Sequence, residues 1–297
     1  MTQHSMLTRS QLANLPESEK IAVMELLQLK YYHNEYIKSR TKTKKGKSIN
    51  TNMEAFCRFE TENQNKINFI MAFDTETTGL FPKTNQEYSS ILDYPAEILN
   101  AYPYITQLSF ILFDYGTEKI VYSFNSYIRI PQDVKISDKI TELTGVTREK
   151  CDAGMLMEDA LEIFYKASTY CNTIVAHNIW FDKNMILVEC NRNKENFKNY
   201  DYMRKMFNYY DNPIRVRCSM KSGFQYLNLK KWPRLAQLHE LLFNETVESY
   251  NIPLHNALVD TLVCLRCAVK IFDDINVSSQ DFTESIESLI PRGITSM

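Results

Sequence analysis

The stretch FIMAFDTETTGLF, residues 69–81, follows five apolar residues with Asp74 and Glu76, two carboxylates one residue apart. A short, bulky, unbroken run such as Phe69 to Phe73 fits a strand buried on both faces of a sheet. Side chains alternate along a strand, so Asp74 and Glu76 leave it on the same face. Like charges held that close repel, and the two usual remedies are a shared proton or a bound cation. Two further clusters carry related residues. AHNIWFDKN holds His177, Asn178 and Asp182 where a strand gives way to a helix, and LHNALVDT holds His255 and Asp260 where another helix starts. Singly these are weak signals, since average usage gives about one D-x-E by chance in a chain of this size. An isolated Asp182 or Asp260 reads first as a capping or solvated acid, and a lone His177 as a hydrogen-bonded structural histidine.

Together they describe one chemistry. Four carboxylates from separate elements, converging where strands end, cannot all stay ionised in a cleft without cations, and hard oxygen ligands suit Mg²⁺ or Mn²⁺. Two such ions about 4 Å apart stabilise the attacking water and the leaving oxygen of an in-line phosphoryl displacement. Asp74, Glu76, Asp182 and Asp260 are then the metal ligands. His255 is the general base, because an imidazole can take the proton of the activated water near neutral pH without being a ligand itself.

Composition leaves room for this. The 297 residues, 44% hydrophobic and 24% charged, suit an ordinary globular chain with a sizeable core, as one large domain or one domain with extensions. No apolar run approaches the ~20 residues of a membrane span. MTQHSMLTRSQLANLPESEK lacks the apolar segment of a secretion signal, so the expected setting is intracellular, cytoplasm or nucleus, with no membrane partner. Seven scattered cysteines, an odd number without a small-domain disulfide framework, agree. Cys264 and Cys267 form a CxxC within a helical pattern, but nothing completes a zinc site, and they read as buried thiols. Seven glycines supply no phosphate-binding loop, which sets aside P-loop and dinucleotide-binding folds. A net charge of −2 decides little, because a nucleic-acid-binding protein can confine its positive charge to one patch.

The elements that must position these residues follow an α/β pattern. Residues 16–37 read as a helix, with Ile21, Met24, Leu27 and Tyr31 at helical spacing. KSRTKTKKGK then carries six cations in ten residues, Lys38, Arg40, Lys42, Lys44, Lys45 and Lys47, and no acid. Such a run is ordinarily a solvated linker and otherwise a nucleic-acid contact. After the strand from Phe69, residues 104–114 and 120–130 alternate apolar with polar and read as a hairpin. Helices are expected over 137–143 and 155–171, a short strand over 173–176, and helices from near Phe181, over 233–243 and over 255–272. The last is apolar nearly all round and hence buried. Antiparallel strands first, then helices crossing over to further strands, predict a mixed sheet flanked by helices.

DTETTGL, AHNxxFD and HNALVD, in this order, resemble the three motifs of the DnaQ-like exonuclease superfamily, in its branch with histidine in the third motif. KITELTGVT is similar to the family's stretch between the third strand and the next helix, and Thr106-Gln107 sits where the second strand opens. The likeness runs from about Ile67 to Phe272. It implies an RNase H-like α/β fold, a mixed five-stranded sheet flanked by helices, here with an amino-terminal helical extension. The boundaries so expected are 1–66 for the extension and basic linker, 67–275 for the exonuclease domain and 276–297 for a tail.

The resemblance also implies a metal-dependent 3′-to-5′ exonuclease with two Mg²⁺ ions, Mn²⁺ substituting, that releases nucleoside monophosphates from single-stranded 3′ ends, DNA ahead of RNA. Thr77, Gly79 and Leu80 would contact the terminal nucleotide, Thr77 through its backbone and Leu80 by packing on the base, and Asn178 would lie near the scissile phosphate. A polymerase or repair partner is left open, as is oligomeric state. The alternatives are the same chemistry on RNA and a catalytically silent nucleic-acid-binding module; the intact acid set with His255 speaks against silence. One departure from the family is the long insertion 81–103. Its Tyr88, Tyr94 and Tyr102 are expected to pack the loop rather than stack on bases.

Overall fold

The structure, a computed structural model, describes residues 51–63, 68–82, 95–207, 214–250, 252 and 254–289. The expected helix over 16–37, the basic run from Lys38 to Lys47, Tyr88 and Tyr94 lie outside the described residues. The chain divides into two compact units, Met1–Thr51 and Asn52–Met297, and, Thr51 apart, the described residues belong to the second.

In chain order the elements are α1 (Thr51–Glu62), β1 (Phe69–Thr77), α2 (Ala96–Leu99), β2 (Ile105–Asp114), β3 (Lys119–Tyr127), α3 (Asp138–Thr144) and α4 (Arg148–Asp152). There follow α5 (Met157–Ser168), β4 (Cys171–Ala176), α6 (Ile179–Arg192), α7 (Tyr200–Met206), β5 (Arg215–Cys218), α8 (Ser219–Tyr226) and α9 (Leu235–Phe243). A 3-10 turn (Val247–Tyr250), α10 (Ala257–Asp273) and α11 (Ser279–Leu289) complete them. The strands form one mixed sheet in the order β3-β2-β1-β4-β5. β1 pairs antiparallel with β2, and β2 with β3, whereas β1–β4 and β4–β5 are parallel. This is the expected RNase H-like architecture.

The apolar run of β1 works because it is central. Ile70 and Ala72 on one face join Ile111, Phe113 and Val175 against Leu262, Val263 and neighbouring residues of α10. Phe73, on the other face, meets Phe164 of α5 edge-on at 5.3 Å, and Phe110 stacks on Phe124 at 4.8 Å. α10 is buried along almost its whole length, as its all-round apolar pattern demands. Its start is fixed by the Asn256 side chain, which accepts from the Leu258 N–H at 3.1 Å.

Two helices at the ends of this unit belong to its packing. Phe56 and Phe59 of α1 are buried, Phe59 edge-on to Phe69 at 5.7 Å, and Phe282 and Ile286 of α11 are buried in the cluster around α10. Tyr102, in the described end of the insertion, is buried with Leu99 and Val188, so it packs as expected. All seven cysteines are free thiols, and Cys264 and Cys267 are buried.

Candidate active site

Asp74 and Glu76 emerge on the sheet face covered by α10, where that helix presents Asp260 in its first turn. One carboxylate oxygen from each of these three residues lies within 4.8 Å of those of the other two. The approach of α10 is set by polar residues of β2. Gln107 Oε1 accepts from the Ala257 N–H at 3.4 Å, and the Thr261 hydroxyl donates to the Ser109 carbonyl at 3.4 Å.

Asp182 arrives from the opposite layer. It sits in the first turn of α6, and its Oδ1 accepts from both the N–H (3.1 Å) and the hydroxyl (2.8 Å) of Thr75, whose side chain leaves β1 on the other face. It therefore stands beside the trio rather than within it, close enough for its charge to act on Asp74 and Glu76.

Burial pushes all four carboxyls up. Asp74 is raised well above the carboxylate range by burial and by the charges of Asp182, Asp260 and Glu76. Glu76 is pushed up to about 8 by burial, then by Asp260 and Asp182. Asp260 is pushed to about 7 by burial, with the His255 N–H opposing the rise and Asp182 adding to it. Asp182 also reaches about 7, burial outweighing its bonds from Thr75. Asp260 Oδ1 is buried and has no hydrogen-bond partner. Hard oxygens, mutual repulsion and an orphaned acceptor are the donor set that a divalent cation satisfies. Asp74, Glu76 and Asp260 are the residues able to hold it.

His255 is exposed beside this cluster. Its backbone is left-handed (φ 65°), and its N–H donates to Asp260 Oδ2 at 3.3 Å. The carboxylate thus orients the turn that carries the imidazole. His177 is different, because both its ring nitrogens are engaged. Nε2–H donates to the Pro233 carbonyl at 3.1 Å, so Nδ1 accepts the Ser219 hydroxyl at 2.9 Å. Burial lowers it to about 4 against the opposing pull of Pro233, so it is a neutral structural histidine, as expected for it taken singly.

At the end of β1, the Thr77 hydroxyl donates to the Gly79 carbonyl at 2.6 Å, and Thr78 is tied to Tyr104 through its N–H (2.9 Å) and its hydroxyl (3.0 Å). A Cβ at Gly79 would meet open space, and Leu80 is 84% exposed. Asn178, also exposed, caps α6 in a left-handed conformation (φ 60°). Sequence reasoning singled out Thr77, Gly79, Leu80 and Asn178, but it missed Phe81, whose ring lies edge-on to Trp180 and tilted to Phe181 at 5.3 and 5.0 Å. The signal was the aromatic pair inside AHNIWFD.

A family model described as Exonuclease matches residues 71–268, which include all four acids and His255. The chain belongs to this exonuclease family, within the DnaQ-like superfamily. No curated protein matches the sequence. Among solved structures, the nuclease domain of 3'hExo, described as a DEDDh family member bound to rAMP, is 16% identical, with TM-score 0.49, over 71% of this chain and 94% of that one. E. coli exonuclease I in complex with a dT13 oligonucleotide is 15% identical, with TM-score 0.48, over 68% of this chain and 41% of that one.

In this chain the residues that hold the acids in place were less legible than the acids. Thr75 sits between two of the acids themselves, Gln107 follows Thr106, and Ser109 lies between Leu108 and Phe110, and nothing in their types marks them as supports. Strand alternation could have found Thr75, since it faces away from Asp74 and Glu76. Among the described residues, no helix is long and apolar enough to cross a membrane.

Proposed function

We propose that this exonuclease hydrolyses phosphodiester bonds at the 3′ ends of single-stranded nucleic acid, DNA ahead of RNA, and releases nucleoside monophosphates. The observation that carries this reading is the trio Asp74, Glu76 and Asp260 with its orphaned Asp260 Oδ1 and with His255 at its rim. Asp74, Glu76 and Asp260 hold divalent ions, Mg²⁺ in the first place with Mn²⁺ substituting, and Asp182 completes the set. Two such ions supply a more acidic water and charge neutralisation at the phosphate. His255 takes the proton of the attacking water on an imidazole nitrogen. Leu80 packs against the terminal base, the backbone of Thr77 to Gly79 holds its sugar edge, and Asn178 lies towards the scissile phosphate.

The test is incubation with Mg²⁺ and matched DNA and RNA oligomers labelled at the 5′ end. The expected product is a ladder descending from full length, faster on DNA than on RNA. Immediate release of labelled mononucleotide would overturn the polarity, and equal or faster RNA cleavage would overturn the sugar preference. No cleavage of either would overturn the activity.

Lys38, Arg40, Lys42, Lys44, Lys45 and Lys47 are assigned the role of a tether for the polyanion, apart from the chemistry. Each phosphate neutralised on a single strand adds about 0.7 to the slope of log affinity against log salt. Because α1 packs against the sheet, the deletion that isolates the tether removes residues 1–50 and spares Phe56 and Phe59. That protein is expected to bind long strands with a shallower slope and to cleave short oligomers with near-normal turnover at saturation. An unchanged slope would make the run a solvated linker.

A further inference from the structure

The loop between α8 and α9 reads LKKWPRL, and in it Lys230, Lys231, Trp232 and Arg234 are all exposed, Trp232 by 62%, while Pro233 between them is buried. Among the described residues none of the three cations is in an ion pair. An indole left in water among three unpaired cations has no role in the core, and the loop is not loose. The Pro233 carbonyl accepts from His177, the residue directly before Asn178, which begins the helix that carries Asp182 in its first turn. His177 in turn holds Ser219 at the start of α8, and the Cys264 thiol, one turn along α10 from Asp260, donates to the same Ser219 hydroxyl at 3.5 Å.

Lys221, also exposed, lies in the first turn of α8, two residues beyond the Ser219 that His177 holds. Four cations and an indole are thus fixed to the margin of the site in a protein whose net charge is −2.

We propose that Lys221, Lys230, Lys231 and Arg234, with Trp232 between them, form a track that holds the single strand on the 5′ side of the scissile phosphate. The cations pair with successive phosphates, and the indole stacks on one base. Stacking and phosphate contact are both indifferent to sequence, so the track grips any single strand. Because the hydrogen bonds through His177 hold the loop in place before the strand arrives, little ordering remains to be done on binding. This inference rests on the nucleic-acid reading of the site, but it concerns binding and can be tested without turnover.

The experiment measures binding of the full-length protein to fluorescent oligothymidylates of 20 and 3 nucleotides in EDTA, by anisotropy, for the wild type, Trp232→Ala and Lys230→Ala/Lys231→Ala. Loss of one stacked base is expected to weaken the 20-mer about 5- to 150-fold. Loss of two phosphate contacts is expected to reduce its salt slope by about 1.4. The 3-mer, too short to reach the track, is expected to bind all three proteins alike. The chain has two tryptophans, so in Trp180→Phe the remaining indole is Trp232, and quenching of its fluorescence by the 20-mer but not by the 3-mer reads the stacking directly. Unchanged 20-mer affinity and slope, or absence of quenching, overturns the track. An equal loss on the 3-mer also overturns it, by assigning the effect to a distorted site. If the oligomers are bound but never cleaved with Mg²⁺, the track stands and the exonuclease reading falls.

Discussion

Asp74 is the residue on which most of the local charge converges, since burial and the carboxylates of Asp182, Asp260 and Glu76 all act to keep it protonated when no cation is bound. Asp74→Asn therefore removes a ligand while standing in for the neutral carboxyl of the metal-free site. Its expected phenotype is split: turnover falls by orders of magnitude, whereas thermal stability in EDTA at pH 8 holds to within the roughly 2–4 °C that one kcal/mol is worth. Activity above a small fraction of wild type would sink the metal assignment, and a larger fall in stability in EDTA would sink the electrostatic one. His255 stands differently, exposed and joined to the cluster through its backbone N–H on Asp260 rather than through its ring. Truncation there leaves that N–H in place. His255→Ala is expected to lose about 10² to 10⁴ in kcat with metal affinity, read by calorimetry, unchanged. Loss of metal binding in this variant would make the imidazole a ligand.

At the scale of elements, the acids depend on how helices meet the sheet, and the insertion depends on Arg192. This guanidinium, near the end of α6, donates to Glu189 at 2.8 Å and to the carbonyls of Leu99, Tyr102 and Pro103 at 2.6–2.8 Å, and lies 3.8 Å over the Tyr104 ring. It ties the segment leading into β2 to the helix that carries Asp182. Arg192→Ala would leave Glu189 buried without its partner, at a cost of about 3–5 kcal/mol, or roughly 10 °C of melting temperature. It should also open residues 95–103 to limited proteolysis; a melt within 2 °C of wild type, or roughly so, would show the clamp to be dispensable.

This clamp was invisible in the sequence, because its acceptors are backbone carbonyls about ninety residues away and carry no side-chain signature. β1, the β2–β3 hairpin, α6 and α10 were legible because each has a strong apolar period and buries it. β5 was not, since Arg215-Val216-Arg217-Cys218 is a four-residue edge strand whose two arginines break the apolar pattern. α8 and α11 were missed for a related reason: each buries only two residues, too few to stand out from polar neighbours.

For the whole molecule, the acid cluster makes stability depend jointly on pH and on divalent ions. The ordinary carboxylate values are 3.8 and 4.5, whereas in the folded protein Asp74 lies well above them, Glu76 near 8 and Asp182 and Asp260 near 7. The folded state therefore binds more protons than the unfolded one between about pH 4 and pH 8, and stability falls as pH rises through that window. A cation that replaces those protons reverses the loss, and it binds the folded state best where the carboxyls have ionised. Metal-free protein should thus melt at lower temperature at pH 8 than at pH 5.5. Saturating Mg²⁺ should raise the melting temperature by several degrees at pH 8 and by much less at pH 5.5. Glu76→Gln should flatten both dependences, because it removes one of the raised carboxyls and a ligand together. A Mg²⁺-induced shift that is the same at both pH values would mean that the ion binds elsewhere, and a metal-free melt that is flat across the window would mean that the four carboxyls titrate as they do in the unfolded chain.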